Sequence, residues 1–139
     1  MSVFKYTAGL QNVGSYQVSG KPFASGSLDA TSGDALKISF PYVTRWVHII
    51  NHATTELTCS FSEAGLSGNN HFKLHRTHGS NEGYYSPRLE LKVTELYFTG
   101  SADFDVIAGL TNIPVERINN LSGSDDIVGN NWSGSVGVG

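Results

Sequence analysis

Apolar and polar side chains alternate with a period of two through most of the middle of this chain. Leu36, Ile38 and Phe40 interleave with Lys37 and Ser39, and Pro41, which cannot donate to a sheet ladder, closes the run. A β-strand sends successive side chains to opposite faces, so this period predicts one buried face and one wet face. Residues 43–51 are β-branched or aromatic almost throughout. Val43, Arg45, Val47 and Ile49 are expected on one face, with Thr44, Trp46, His48 and Ile50 on the other. A run apolar on both faces belongs near the middle of a sheet or in a subunit contact. Further strands are expected at 57–62, 71–77, 89–93, 96–98 and 104–108, with loops at 64–70 and 78–87. The breaks at Thr94-Glu95 and at 100–103 are too short for helical crossovers, so these neighbours should be antiparallel.

The two ends read differently. Residues 1–34 are polar, with weak strand signals at 3–6 and at Tyr16 and Val18, and suit an edge strand or an arm. Val115 and Ile118 could add a last short strand. From 119 to 139 glycine, serine and asparagine separate isolated large apolar residues, among them Leu121, Ile127, Val128 and Trp132. A compact domain rarely leaves such residues on a loose tail. Ile127, Val128 and Trp132 are therefore expected to anchor the tail against a neighbouring subunit. No helical stripe of useful length and no internal repeat is present. The organisation expected is an arm or edge strand at 1–34, a core at 35–118 and a tail at 119–139. The fold class is all-β, an antiparallel β-sandwich of jelly-roll-like form with extended N- and C-terminal segments.

Composition narrows the function classes. The 139 residues suffice for one domain with a usable core, and 16 glycines with only 15% charged residues favour turn-rich β structure. A net charge of -3 gives no electrostatic reason to expect nucleic acid as a partner. No apolar run approaches the ~20 residues of a membrane helix, and Met1 is followed by no signal-like segment. No membrane association is expected, and synthesis in a reducing cytoplasm is. The lone Cys59 falls in the alternating run Leu57, Cys59, Phe61, which predicts a buried, inert thiol.

Candidate chemistry is sparse. His71 and His75 share a predicted face, as do His48 and His52. Residues i and i+4 on a strand are roughly 13 Å apart, while zinc needs three or four ligands converging at about 2 Å. Neither pair can chelate an ion alone, and solvated or hydrogen-bonded histidines are the expectation. Asp125-Asp126 near Asn130 and Asn131 lacks the spacing of a calcium loop. Asn120-Leu-Ser and Asn131-Trp-Ser match the glycosylation pattern but stand without a secretory signal. No nucleophile elbow, phosphate-cradling loop or HExxH is present. Glu90, Glu95, Asp103 and Asp105 read as scattered charges. No enzyme activity, cofactor or metal is expected.

Five phrases carry a resemblance: ISFPYVTR at 38–45, LTCSFS, NNHFKL, LELKVTELYF and the closing DFDVIAGLTNIP. Together they resemble the head decoration, or cement, proteins of tailed bacteriophages from marine and cyanobacterial hosts, over residues 36–114. That resemblance implies a jelly-roll-like protein, often trimeric, that binds the major capsid protein lattice on the exterior of the virion. The residues expected at its contacts are Trp46, His48, Ile50, Tyr84, Tyr85, Ile127, Val128 and Trp132. The homotrimer is also expected from the strand at 43–51: a sandwich core covers only one of its two apolar faces, so the other should be an inter-subunit contact or lie beneath the N-terminal segment. A carbohydrate- or receptor-binding module of a phage tail, using Tyr84, Tyr85 and Trp46, is the alternative reading.

Overall fold

The computed structural model describes residues 20–75 and 84–115. In chain order these form β1 (Lys21–Leu28), β2 (Leu36–Ser39), β3 (Tyr42–Asn51), β4 (Leu57–Ser60), a one-turn helix α1 (Glu63–Ser67), β5 (His71–Leu74), β6 (Tyr84–Tyr85), β7 (Glu95–Thr99) and β8 (Phe104–Pro114). The strands make two four-stranded sheets, ordered β1-β8-β3-β6 and β2-β7-β4-β5, with every pairing antiparallel. β1 pairs with β8, β2 with β7, β3 with β6 and β4 with β5. A long hairpin rolled up on itself produces that set of pairs, and it is the jelly roll. The expected all-β, antiparallel, jelly-roll-like sandwich is therefore the fold.

The core lies between the sheets. Val47, Ile49, Phe104, Val106, Ala108 and Leu110 face inward from the first sheet, against Ile38, Leu57, Cys59, Leu74, Leu96 and Phe98 of the second. Phe98 and Phe104 meet across the middle with ring centroids 4.9 Å apart. Each Val, Ile, Leu or Phe side chain among them contributes about 1.5–3 kcal/mol on burial, so the period-two pattern is the main source of stability. Burial also raises the Cys59 thiol far above its ordinary pKa, which keeps it protonated and unreactive. One polar residue is fully buried at the end of β3. Asn51 donates to Thr55 O and His75 O at 2.9 and 3.0 Å, and accepts from Ser101 Oγ at 2.7 Å and Ala53 N at 3.2 Å. All four of its hydrogen-bonding positions are used, so burial costs it little.

Several local expectations need correction. Residues 64–70 were expected as a loop, yet α1 forms where Ser62 caps it, its Oγ accepting from Gly65 N at 3.0 Å. Gly65 itself packs so closely that a Cβ would lie 2.6 Å from Asn70 O. The loop expected at 78–87 contains β6. The strand expected at 89–93 is only two bridge points on β3: Leu89 exchanges backbone bonds with Val47 at 2.8 Å, and Val93 accepts from Thr44 N at 3.0 Å. Four steps of this segment lie against three of β3, so no continuous ladder fits. β8 runs on to Pro114, six residues past the expected end.

The most consequential correction lies in β3. Thr44 pairs with Leu110 but Trp46 pairs with Gly109, so Arg45 is the extra residue of a β-bulge. Thr44 turns inward, its hydroxyl donating to Leu91 O and accepting from Val93 N. Val43, expected beside Val47 and Ile49, is carried to the other side of the sheet. From Trp46 onward the expected alternation holds.

Candidate functional site

The outer side of the first sheet is where apolar and aromatic side chains collect without belonging to the core. β3 sends Trp46, His48 and Ile50 outward. Their partners on β8 are Gly109, Ile107 and Asp105, and β1 adds Pro22 and Ala24 opposite Gly109 and Ile107. Tyr85 of β6 pairs with Ile50 and lays its ring on His48, with centroids 6.2 Å apart and planes 20° from parallel. Trp46, His48, Ile50 and Ile107 are half-buried and Tyr85 is 60% exposed. Trp46, His48, Arg88 and Ile107 line a shallow hollow of about 260 Å³.

Of the residues expected at contacts, Trp46, His48, Ile50 and Tyr85 thus share one face. Tyr84 does not. It pairs with Asn51, projects to the opposite side of its short strand, and meets His75 edge-on at 5.7 Å. Ile127, Val128 and Trp132 lie outside the described residues, as do the tail at 119–139, both glycosylation patterns and Asp125-Asp126. Ile107 and Arg88 were not expected here. Ile107 could have been found, being an apolar residue on the polar side of the alternating run 104–108. Arg88 could not, because only the backbone path after Pro87 brings it beside Trp46.

A polar clasp closes one end of the face. Asp105 Oδ2 lies 2.8 Å from His52 Nε2, and Asp105 Oδ1 accepts from Ser27 N at 2.8 Å. Ser27 has a left-handed φ of 54°, at the register shift of β1. Partial burial disfavours the Asp105 carboxylate, but the Ser27 amide and then His52 outweigh it and hold the group below the ordinary carboxylate range. The clasp therefore ties an edge strand through β8 to the end of β3.

The other described histidines are engaged separately: His48 on Tyr85, His75 on Tyr84, and His71 Nδ1 3.1 Å from Gly65 O. Among the described residues no group of three or more His, Cys, Asp or Glu side chains is placed to hold a metal ion. No helix of the described residues is long and apolar enough to cross a membrane. Comparison of the chain with family models, curated proteins and solved structures finds no match.

Proposed function

We propose that this chain is a virion structural protein that decorates a phage capsid, binding the major capsid protein lattice as a homotrimer from the particle's exterior. The observation that carries this reading is the apolar, aromatic outer face of the first sheet: Trp46, His48, Ile50, Ile107 and Tyr85 on strands already fully used in the core. Side chains of that kind, collected on one rigid face, suit a contact with other protein. Sheet spacing gives the open part of the face about 400 Å², from four strands ~4.8 Å apart and about six residues of length. A stable one-to-one interface needs about 800 Å² per partner. One face is therefore half of what is required, which favours a trimer whose repeated modest contacts add up on a lattice.

The test is mass spectrometry of purified virions, with copy number measured against the major shell protein. Many copies per particle support decoration; a handful, or none, overturns it. The competing reading is a glycan shelf made by Trp46, His48 and Tyr85 beside Arg88, favoured by the hollow they border. Glycan-array binding that is lost in Tyr85→Ala, with no affinity for shells, would establish that reading instead.

A further inference from the structure

The second sheet has a hollow of its own. β5 ends the strand order of that sheet, and Phe61, Asn69, Asn70, His71 and Phe72 line a space of about 150 Å³ beside it. The chain leaves β4 at Ser60, turns through α1 and returns as β5, so the lining comes from one short excursion. Hydrogen bonds pin this excursion. Ser60 Oγ donates to Asn70 O at 2.7 Å, Ser62 Oγ accepts from Gly65 N at 3.0 Å, and His71 Nδ1 lies 3.1 Å from Gly65 O. A carbonyl oxygen can only accept, so Nδ1 carries a proton, and in the neutral ring Nε2 is left as an acceptor. Phe61 and Phe72 are half-buried at the rim of the core, with ring centroids 6.2 Å apart. Asn69 and Asn70 are exposed, and among the described residues neither side-chain amide has a hydrogen-bond partner.

We infer that this hollow binds a single neutral pyranose ring of a glycan. A sugar ring combines an apolar C–H face with a rim of hydroxyls that both donate and accept. The lining offers the complement of each: phenyl rings for the face, and amides with an imidazole nitrogen for the rim. An Asn side chain brings N–H donors and a carbonyl acceptor together, so it can serve adjacent hydroxyls at once. Size limits the ligand to one ring, since a cavity of ~150 Å³ holds one benzene. Charge limits it further. No lining residue carries a carboxylate, ammonium or guanidinium, so nothing there compensates an acidic or amino sugar for its desolvation. The pinned turn presents these groups before the ligand arrives, which lowers the ordering cost of binding. The hollow belongs to the second sheet, so the inference does not rest on the virion reading. It is also a different place from the shelf at Trp46 and Tyr85.

The experiment is an NMR titration of the isotope-labelled full chain with the methyl glycosides of glucose, galactose, mannose and N-acetylglucosamine. At least one should shift the side-chain amides of Asn69 and Asn70 and the ring of His71. Saturation is expected at about millimolar sugar, the strength that ordinary ligand efficiency gives ~12 heavy atoms. Asn69→Ala combined with Asn70→Ala should weaken that sugar by roughly tenfold, through the loss of about two hydrogen bonds. Thermal unfolding should not change, because neither amide holds the fold. Tyr85→Ala should bind the sugar as the wild type does. Absence of shifts with all four sugars overturns the inference, as does equal affinity in the double-alanine chain. Shifts centred on Trp46 and Tyr85 also overturn it, by assigning the sugar to the first sheet. N-acetyl-phenylalanine amide is the remaining probe: its binding at the hollow in place of every sugar would make this a pocket for a peptide side chain. Absence of the protein from virions would sink the decoration reading and leave this one standing.

Discussion

The two sheets share a core and differ on their outer sides. The second sheet shows the solvent Lys37, Ser39, Glu95, Tyr97, Thr58 and Lys73, and its charges are paired within the face. Lys37 Nζ lies 2.9 Å from Glu95 Oε2, Tyr97 donates to Glu95 Oε1 at 2.9 Å, and Lys73 meets Glu56 at 3.2 Å. Burial and that bond to Glu95 push the Tyr97 phenol up to about 12. The first sheet, with the same pleat and the same alternation, presents Trp46, His48, Ile50, Ile107 and Tyr85 instead. Both sheets satisfy the fold through their inner sides. The second sheet turns a polar, ion-paired side to water and the first an apolar, aromatic one, and the proposed contact with protein rests on that difference.

Damage to the shared core should remove both faces together. Phe98→Ala deletes one ring of the Phe98–Phe104 pair and is expected to cost about 3–5 kcal/mol, read as a lower urea midpoint. The turn that carries the chain from β7 of one sheet to β8 of the other comes next. Gly100 has a φ of +100°, and a Cβ there would lie 2.6 Å from Glu56 O. Gly100→Ala should cost about 1–3 kcal/mol by strain alone, which thermal unfolding will report.

The clasp on the first sheet has a smaller effect with a pH signature. Asp105→Asn should cost about 1 kcal/mol at neutral pH, through weaker bonds to Ser27 N and His52. Because the folded carboxyl titrates below its ordinary range, this stabilisation is present above about pH 4 and fades as pH falls through the depressed value. The stability gap between wild type and Asp105→Asn should therefore close in acid. A gap that widens there would mean the clasp does not hold the edge strand. No counterpart is expected for Lys37→Ala on the second sheet, where an exposed pair is worth about 0–1 kcal/mol.

Much of this was legible in the residues because burial on one face imposes a period of two. The inner rows of β2, β3, β4 and β8 follow from that pattern, as does the shared outward row Trp46, His48 and Ile50. What escaped depends on non-local geometry. The bulge at Arg45 exists because β3 must match β8 on one side and the Leu89–Val93 segment on the other, and no local signal marks it. It moved Val43 out of the expected core row and Thr44 in. Helix α1 is too short to show a 3.6-residue stripe, and Tyr84 parted from Tyr85 because even a two-residue strand alternates.

The most direct test is a shell-binding assay on matched substitutions from the two outer faces. Tyr85→Ala and Ile107→Ser on the first sheet are set against Thr58→Ala and Lys37→Ala on the second, with circular dichroism to check the fold. Each change on the first face should weaken attachment by roughly tenfold or more, as truncation of a central hot-spot side chain does, and leave the isolated chain folded. Both changes on the second face should leave attachment unaltered. Equal binding by all four variants, or losses confined to the second sheet, would contradict the assignment of the apolar face as the contact.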